Sequence, residues 1–307
     1  MTNYRNAVLF LALAAVWGSA FVAIKAGLRA GFEPVLFAAV RYDVAGVIML
    51  AYAARVTDQW RPRSRADWTT VGIAAVLIIA AYHAFLFVGE TSPGVSSAAA
   101  AVLVGLGPVF TTGFARAFLP SERLSVVGVA GILLGLVGVV VLSDPNFANL
   151  LGESTVGELL VALAAASFAL GSVLTQRVDD DLAIETLEAW AMLIGAVLMH
   201  LLSLGMGETQ AIPDSSDALW ALAYLSLAAS AAGFLVYFEL LDRLGPIEIN
   251  MVSYVAPVFA AAGGVVVTNE PVTSNVVLGF LVIFAGFCLL KRRALADEIE
   301  KVRTSWA

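Results

Sequence analysis

Arg41 lies inside a long apolar stretch that begins at Pro34. If that stretch is helical, Arg41 sits about seven residues, roughly 10 Å, along it. A guanidinium there is suited to a carboxylate or a phosphate, which it grips with two parallel N–H donors. It can equally serve structure, by holding backbone carbonyls or by reaching out to an interface. His83, beside Tyr82, lies about two-thirds of the way along another stretch, where an imidazole that titrates near neutrality can relay protons. It can also tie two helices together. Glu239 follows Tyr237 near the end of a third stretch. It reads as a gate carboxylate, a proton site or a solvated interfacial group. Asn250, Ser253 and Pro257 recur at helical spacing, so they share one face, with Tyr254 adjacent. That face points at a ligand or at another helix. Trp17, Tyr42, Phe85, Trp190 and Tyr237 fall at interior depths and can stack on an apolar or aromatic ligand, Trp17 and Tyr82 foremost.

Other polar residues read as structural. Lys25 belongs at a rim, where snorkelling accounts for it; its counterpart later in the chain is approximately Gln176, followed by Arg177. His200 serves packing. Glu185 and Glu188 share a helix face close to Asp179-Asp180-Asp181 and are expected to meet water.

These residues need elements that hold them in an apolar solvent. The chain has 307 residues, 60% of them hydrophobic and 13% charged. Its mean hydropathy is +0.90. A soluble domain is nearer ~25% charged. Too little polar surface remains to cover a water-soluble fold, so lipid is the solvent. The isoelectric point of about 4.9 excludes a nucleic-acid partner, which needs a basic patch. Cys288 is the single cysteine and can form no internal disulfide. The first twenty or so residues mimic a signal peptide, but the apolar run continues to Leu28 without a small-residue cleavage site, which predicts an uncleaved first helix.

Spanning a bilayer takes roughly twenty apolar residues in a helix. The stretches that qualify are approximately 7–28, 34–55, 68–88, 95–118, 124–142, 156–174, 187–204, 218–241, 247–267 and 272–290. The prediction is an all-α membrane protein of ten transmembrane helices. Alternate loops carry Arg5; Arg55, Arg61, Arg63 and Arg65; Arg116 and Arg123; Arg177; Arg243; and Lys291, Arg292, Arg293, Lys301 and Arg303. The opposite loops carry Lys25 and Arg29. Basic residues stay cytoplasmic, so both termini are predicted cytoplasmic, which agrees with an even number of spans.

The pattern occurs twice. Pro108-Val109-Phe110 and Pro257-Val258-Phe259 each sit inside an apolar run that ends at an acidic residue, Glu122 or Glu270. Residues 1–149 and 150–292 are read as two five-helix repeats, with 293–307 a cytoplasmic tail. Five is odd, so the second copy enters from the opposite side: an inverted repeat, the architecture of secondary transporters. Pro108 and Pro257 remove backbone hydrogen bonds and are read as hinges. Gly128, Gly131, Gly135 and Gly138 make a small-residue stripe on the fifth span, suited to close packing within the bundle or to a homodimer interface.

Further residues carry a resemblance. Trp17-Gly18-Ser19-Ala20-Phe21 lies in the first span, and Arg41-Tyr42 follows Pro34 in the second. Ser121-Glu122-Arg123-Leu124 and Asn269-Glu270-Pro271-Val272 open the fifth and tenth, with Gly131, Gly138, Gly279 and Gly286 beyond them. In this order, over nearly the whole chain, the sequence resembles the drug/metabolite transporter superfamily in its EamA branch. The resemblance implies a central cavity among spans one to four and six to nine, with five and ten at the periphery. It also implies export or exchange of small metabolites, often amino acids, without ATP. The small multidrug relatives keep a glutamate in the first span; between Ala7 and Leu28 this chain has no carboxylate, which weighs against a simple multidrug-cation reading.

No phosphate-binding Gly-x-x-x-x-Gly-Lys-Ser/Thr, His-Glu-x-x-His or cysteine pair is present. Asp179-Asp180-Asp181 has the wrong spacing to hold a magnesium diphosphate, and no second cluster accompanies it. The expectation is a non-enzymatic secondary transporter of small metabolites in the cytoplasmic membrane, amino acids favoured, with no metal or cofactor. Its substrate site is drawn from Trp17, Arg41, Tyr82, His83, Tyr237, Asn250, Ser253 and Tyr254, with proton coupling through His83 or Glu239. Partners are the substrate, membrane lipid, and a second copy through the fifth and tenth spans. The alternatives are an exporter of drugs or lipophilic compounds, a non-transporting membrane sensor, or an intramembrane enzyme.

Overall fold

A computed structural model describes residues 2–92, 103–119, 125–143, 155–268, 274–290 and 292. The described residues are helical, with no strand among them. In chain order the helices are α1 (Thr2–Arg29), α2 (Pro34–Val56), α3 (Arg65–Thr91), α4 (Gly107–Phe118) and α5 (Val126–Ser143). They continue with α6 (Thr155–Thr175), α7 (Ile184–Met206), α8 (Ser216–Leu244), α9 (Pro246–Asn250), α10 (Val252–Thr268) and α11 (Ser274–Leu290). Six of these are long and apolar enough to cross a membrane: α1, α2, α3, α6, α7 and α8. Shorter apolar stretches lie in α5 and α11. The acidic pair Glu122 and Glu270, and the tail 293–307, lie outside the described residues.

Local chemistry sets the boundaries. Pro34 opens α2, where its missing N–H costs nothing and its fixed φ suits a helix. Ser64 caps α3: its hydroxyl accepts from Asp67 N, and the Asp67 carboxylate accepts from Ser64 N at 3.2 Å and Arg63 N at 2.8 Å. Ser215 caps α8 in the same way, through Ala218 N at 3.3 Å. Gly207 ends α7 at φ 76° and Gly245 ends α8 at φ 77°, a region that disfavours other residues.

The helices pair antiparallel, and the pairing recurs. Between α1 and α8, Tyr224 donates to Val16 O and Trp17 donates to Ala229 O, each at 3.0 Å. Between α6 and α3, Ser167 donates to Leu77 O at 2.8 Å and Thr70 bonds to Asp180. Between α2 and α7, the amides of Val35 and Leu36 donate to the Glu208 carboxylate at 3.0 and 2.8 Å. At the far end of that pair Thr186 donates to Gln59 O at 2.6 Å and Trp190 to Trp60 O at 3.0 Å. One end of the bundle therefore gathers Arg5, the 57–64 connection, Arg177 and Arg243; it is the arginine end. α1 starts there and α6 finishes there, so the two halves run in opposite senses.

Each half also carries the same deviation. After nine α-helical residues, α3 and α8 each widen into an eight-residue π-helical stretch, Ala74–Ala81 and Leu225–Ala232. A π stretch takes carbonyls out of the regular ladder. Leu77 O and Ala229 O, one in each stretch, accept the side-chain donors Ser167 and Trp17 from the opposite half. Apolar periodicity alone does not reveal this. The breaks in the fourth and ninth predicted spans also fall before the prolines rather than at them. The chain turns at Gly105 and Leu106, so that Pro108 lies in the first turn of α4. It turns again at Met251, and Pro257 lies within α10.

The outer faces of α2 and α7 present Val44, Val47, Ile48, Val197 and Leu201, as a lipid-facing surface requires. Small residues hold the inner faces together. The stripe on α5 is taken up inside the chain. A Cβ on Gly138 would lie 2.6 Å from Ile283 N of α11, and one on Gly286 of α11 would lie 2.6 Å from Gly135 N. With helices this long and apolar, the chain is a multi-pass membrane protein.

Replacing Gly286 with valine is expected to cost about 1–3 kcal/mol by overpacking and to lower the thermal midpoint of the detergent-purified protein. Gly113→Ala, at a site with no neighbour within 4 Å, is the control and should leave the midpoint unchanged or raised.

Candidate functional site

A cavity of about 890 Å³, its open mouth included, lies at the centre of the bundle. Aromatic rings form its walls: Trp17 and Phe21 from α1, Tyr82 from α3, Phe168 from α6 and Phe234 from α8. They are mutually packed. Trp17 stands 6.0 Å from Phe168 and 5.3 Å from Phe234 between ring centroids, and Tyr82 5.0 Å from Phe168. The Trp17 N–H is already spent on Ala229 O, which fixes the indole face toward the cavity.

Arg41 brings the one charged side chain found among the described residues that line the cavity; no carboxylate lines it. It is 3% exposed. A buried guanidinium needs acceptors. Arg41 Nε donates to Ser230 Oγ at 3.0 Å, and Nη2 reaches the Tyr42 hydroxyl at 3.4 Å. Its Nη1 carries no hydrogen bond to the described residues. The same hydroxyl lies 2.9 Å from His83 Nε2, and His83 Nδ1 lies 2.8 Å from Ile79 O. A carbonyl only accepts, so Nδ1 carries the proton. Beside the Arg41 guanidinium a second buried cation is costly, so Nε2 accepts from Tyr42 and the imidazole is neutral. Donor direction runs from Arg41 through Tyr42 to His83 and ends on a carbonyl of the π stretch. This network reads as a positioning device that holds Arg41 at the cavity wall.

Toward the arginine end the cavity is closed by hydrogen bonds across four helices. The Tyr237 hydroxyl of α8 lies 2.5 Å from Ser172 Oγ of α6 and donates to Asn250 Oδ1 of α9 at 3.1 Å. Asn250 Nδ2 donates to Thr111 Oγ1 of α4 at 2.9 Å. Beyond this latch, Glu239 pairs with Arg5 at 2.7 Å and with Arg243 at 2.6 Å. In the other direction the cavity extends past Ile24 and Leu86, away from the arginine end.

Six of the residues singled out in the sequence meet at this cavity: Trp17, Arg41, Tyr82, His83, Asn250 and Ser253. Pro257 lines it too. Tyr237 does not line it; it is fully buried beneath Asn250. Tyr254 is also fully buried, and its ring turns to α5, where a Cβ on Gly135 would strike it. Pro108 is buried off the cavity, although its neighbour Gly107 lines it. Glu239 stands outside, in the ion pairs just described. His200 pairs with Asp43 at 2.6 Å on the outer side of α2 and α7. Glu188 requires a correction: it does not meet water but is 0% exposed, because α2 and α8 cover that face of α7. Phe168, Phe234 and Ser230 were not identified from the sequence. Phe168 follows Ser167, which stands against α3 as Trp17 stands against α8, so comparison of the two halves is the signal that finds it.

Asn250→Ala leaves the Tyr237 and Thr111 hydroxyls without their shared partner. The expected loss is about 1–3 kcal/mol of stability, read as a lower thermal midpoint in detergent. Ser253→Ala, whose hydroxyl bonds among the described residues to Asn250 O alone, should shift the midpoint less.

The sequence profile of the EamA-like transporter family matches residues 5–144 and again residues 155–292. The uncharacterized transporter YoaV of Bacillus subtilis is 26% identical over 271 residues, covering 88% of this chain and 91% of that protein. The uncharacterized inner membrane transporter YedA of Escherichia coli K12 is 29% identical over 255 residues, covering 82% of this chain and 79% of YedA. A crystal structure aligns with 94% of this chain and 98% of its own at a TM-score of 0.77 and 24% identity, which speaks for the fold alone. With both halves matched, the chain belongs to the EamA-like transporter family and is a membrane transporter.

Proposed function

We propose that the protein is a secondary transporter of small metabolites that carry a carboxylate on an apolar or aromatic body, amino acids first among them. The observation that carries this reading is a lone guanidinium whose Nη1 has no partner among the described residues, set in a cavity walled by aromatic rings and bearing no carboxylate among them. An anionic group would meet a fixed, partly desolvated donor, and charge-assisted hydrogen bonds are the strong ones. Rings and apolar surface would take the substrate's body. An ammonium group needs acceptors. Pro257 has no N–H to offer the Ser253 carbonyl one turn earlier, and Ser253 lines the cavity. A cationic drug fits less well, because Arg41 would repel it and nothing described here would neutralise it.

The cycle is alternating access between two inverted five-helix repeats that together span the membrane ten times. With basic residues cytoplasmic, the arginine end and both termini face the cytoplasm. The conformation described here is then open to the outside and latched inside by Ser172, Tyr237, Asn250 and Thr111. The turns before Pro108 and at Met251 are the pivots. The membrane is the cytoplasmic one, as the inner-membrane relative YedA supports. Export is the direction this reading favours, since the family resemblance implies release of metabolites.

Two measurements test it. In proteoliposomes preloaded with phenylalanine, labelled phenylalanine should accumulate by counterflow. Arg41→Gln should weaken its apparent affinity about 10- to 100-fold, the worth of a charged hydrogen bond at about 1.5–3 kcal/mol. Phenethylamine, which lacks the carboxylate, should not compete; competition equal to that of phenylalanine would sink the carboxylate reading. In a Cys288→Ser background, Phe21→Cys should react with a membrane-impermeant maleimide added outside intact cells. Thr111→Cys should stay unlabelled. The reverse pattern would invert the orientation.

A further inference from the structure

Glu188 is a buried carboxyl group that neither the cavity nor its latch uses. It lies on α7, one turn past the helix start, and is fully buried. Neither carboxyl oxygen has a hydrogen-bond partner. The Leu235 amide on α8 approaches it without reaching hydrogen-bond geometry. No lysine or arginine pairs with it among the described residues. The groups around it can be named by element. Glu185 on α7 itself acts on it electrostatically, three residues nearer the arginine end and half-buried. From α2, Tyr42 is within electrostatic reach, with Arg41 and His83 on the far side of the Tyr42 hydroxyl. α3 meets α7 mainly through the apolar Ala74–Ala81 stretch, and no charged group of α3 or α8 acts on Glu188.

An ionised carboxylate in such a place, without donor or counter-ion, is among the most costly arrangements a protein can hold. Protonation removes the charge. Ionisation becomes favourable only when water arrives, and the half-buried Glu185, on the same helix face, lies between Glu188 and the arginine end. On the other side Tyr42 lies within electrostatic reach of Glu188, and its hydroxyl bonds to Arg41 and His83 at the cavity wall. Glu188 therefore stands between the two compartments that alternate access must separate.

We propose that Glu188 is the proton-binding site of the transport cycle. This rests on the transporter reading above. While the arginine end is latched, Glu188 holds one proton on one carboxyl oxygen. When that end opens, water reaches it past Glu185, and the proton leaves as hydronium to the cytoplasmic side, giving the carboxylate. The carboxylate form carries substrate back to the latched state, where Glu188 takes a proton from the outside through the open cavity, so one proton moves inward per cycle as substrate moves outward. The role does not fall to His83, whose ring nitrogens are both engaged in the neutral form beside Arg41. Nor does it fall to Glu239, which two arginines hold outside the cavity.

The test compares wild type with Glu188→Gln in proteoliposomes preloaded with labelled phenylalanine. Acid outside should speed efflux from wild type several-fold. Glu188→Gln should lose that acceleration while keeping phenylalanine counterflow within about threefold, since exchange needs no net proton movement. Acceleration retained in Glu188→Gln, or wild-type efflux indifferent to the gradient, overturns the proposal. Infrared spectroscopy of the purified protein at pH 7 supplies a readout without substrate. Wild type should show the carbonyl band of a protonated buried carboxyl, and Glu188→Gln should lack it. Its absence from wild type overturns the proposal as well. If wild type shows no counterflow, the substrate reading fails, and the infrared band alone decides whether Glu188 holds its proton.

Discussion

A polar group placed inside this bundle has to find its partner inside the bundle, because the surrounding lipid offers none. Arg41 is the most demanding case, and much of the central structure answers it. Ser230 and Tyr42 take two of its donors, His83 accepts from Tyr42, and Ile79 of a π-helical stretch accepts from His83. The irregular backbone at Ala74–Ala81 is thus part of the solution. It releases carbonyls where side chains from other helices need acceptors. The matching stretch in α8 does the same for Trp17. Helix irregularity, aromatic orientation and placement of the charge are consequences of one requirement.

The scaffold repeats, but its chemistry does not. Serine caps, π stretches and antiparallel pairs recur in the two halves. The polar residues between them differ: α2 carries Arg41, whereas α7 carries Glu188 and no lysine or arginine. In the proposed cycle the repeated scaffold would supply two related conformations, and the unrepeated charges would let them differ in affinity for substrate and proton.

The closure toward the arginine end is thin. It consists of hydrogen bonds among Ser172, Tyr237, Asn250 and Thr111, followed by the ion pairs of Glu239. A neutral hydrogen bond contributes about 1 kcal/mol net, and an exposed ion pair contributes less. Their sum is comparable with the few kcal/mol that separate interconverting states. By contrast α5 and α11 interlock through glycine contacts that tolerate no added side chain. In the proposed cycle that pair would stay fixed while the latch breaks and re-forms.

Several features were legible in the sequence. Runs of apolar length and the two Pro-Val-Phe elements indicate spans and a duplication, the first because lipid imposes that length on any helix that crosses it. The common face of Asn250, Ser253 and Pro257 follows from helical spacing alone, and all three do line the cavity. Tertiary structure decided the rest. Tyr237 and Tyr254 were themselves read as cavity positions, yet one sits below the cavity floor and the other turns to α5, since rotation about the helix axis is set by neighbours. Glu188 looked like a solvated residue near an acidic loop and is instead sealed between α2 and α8. The π stretches leave no apolar signature, for they form to meet donors arriving from other helices. A sequence specifies which residues a helix offers; only the packing of several helices specifies which of them remain without a partner.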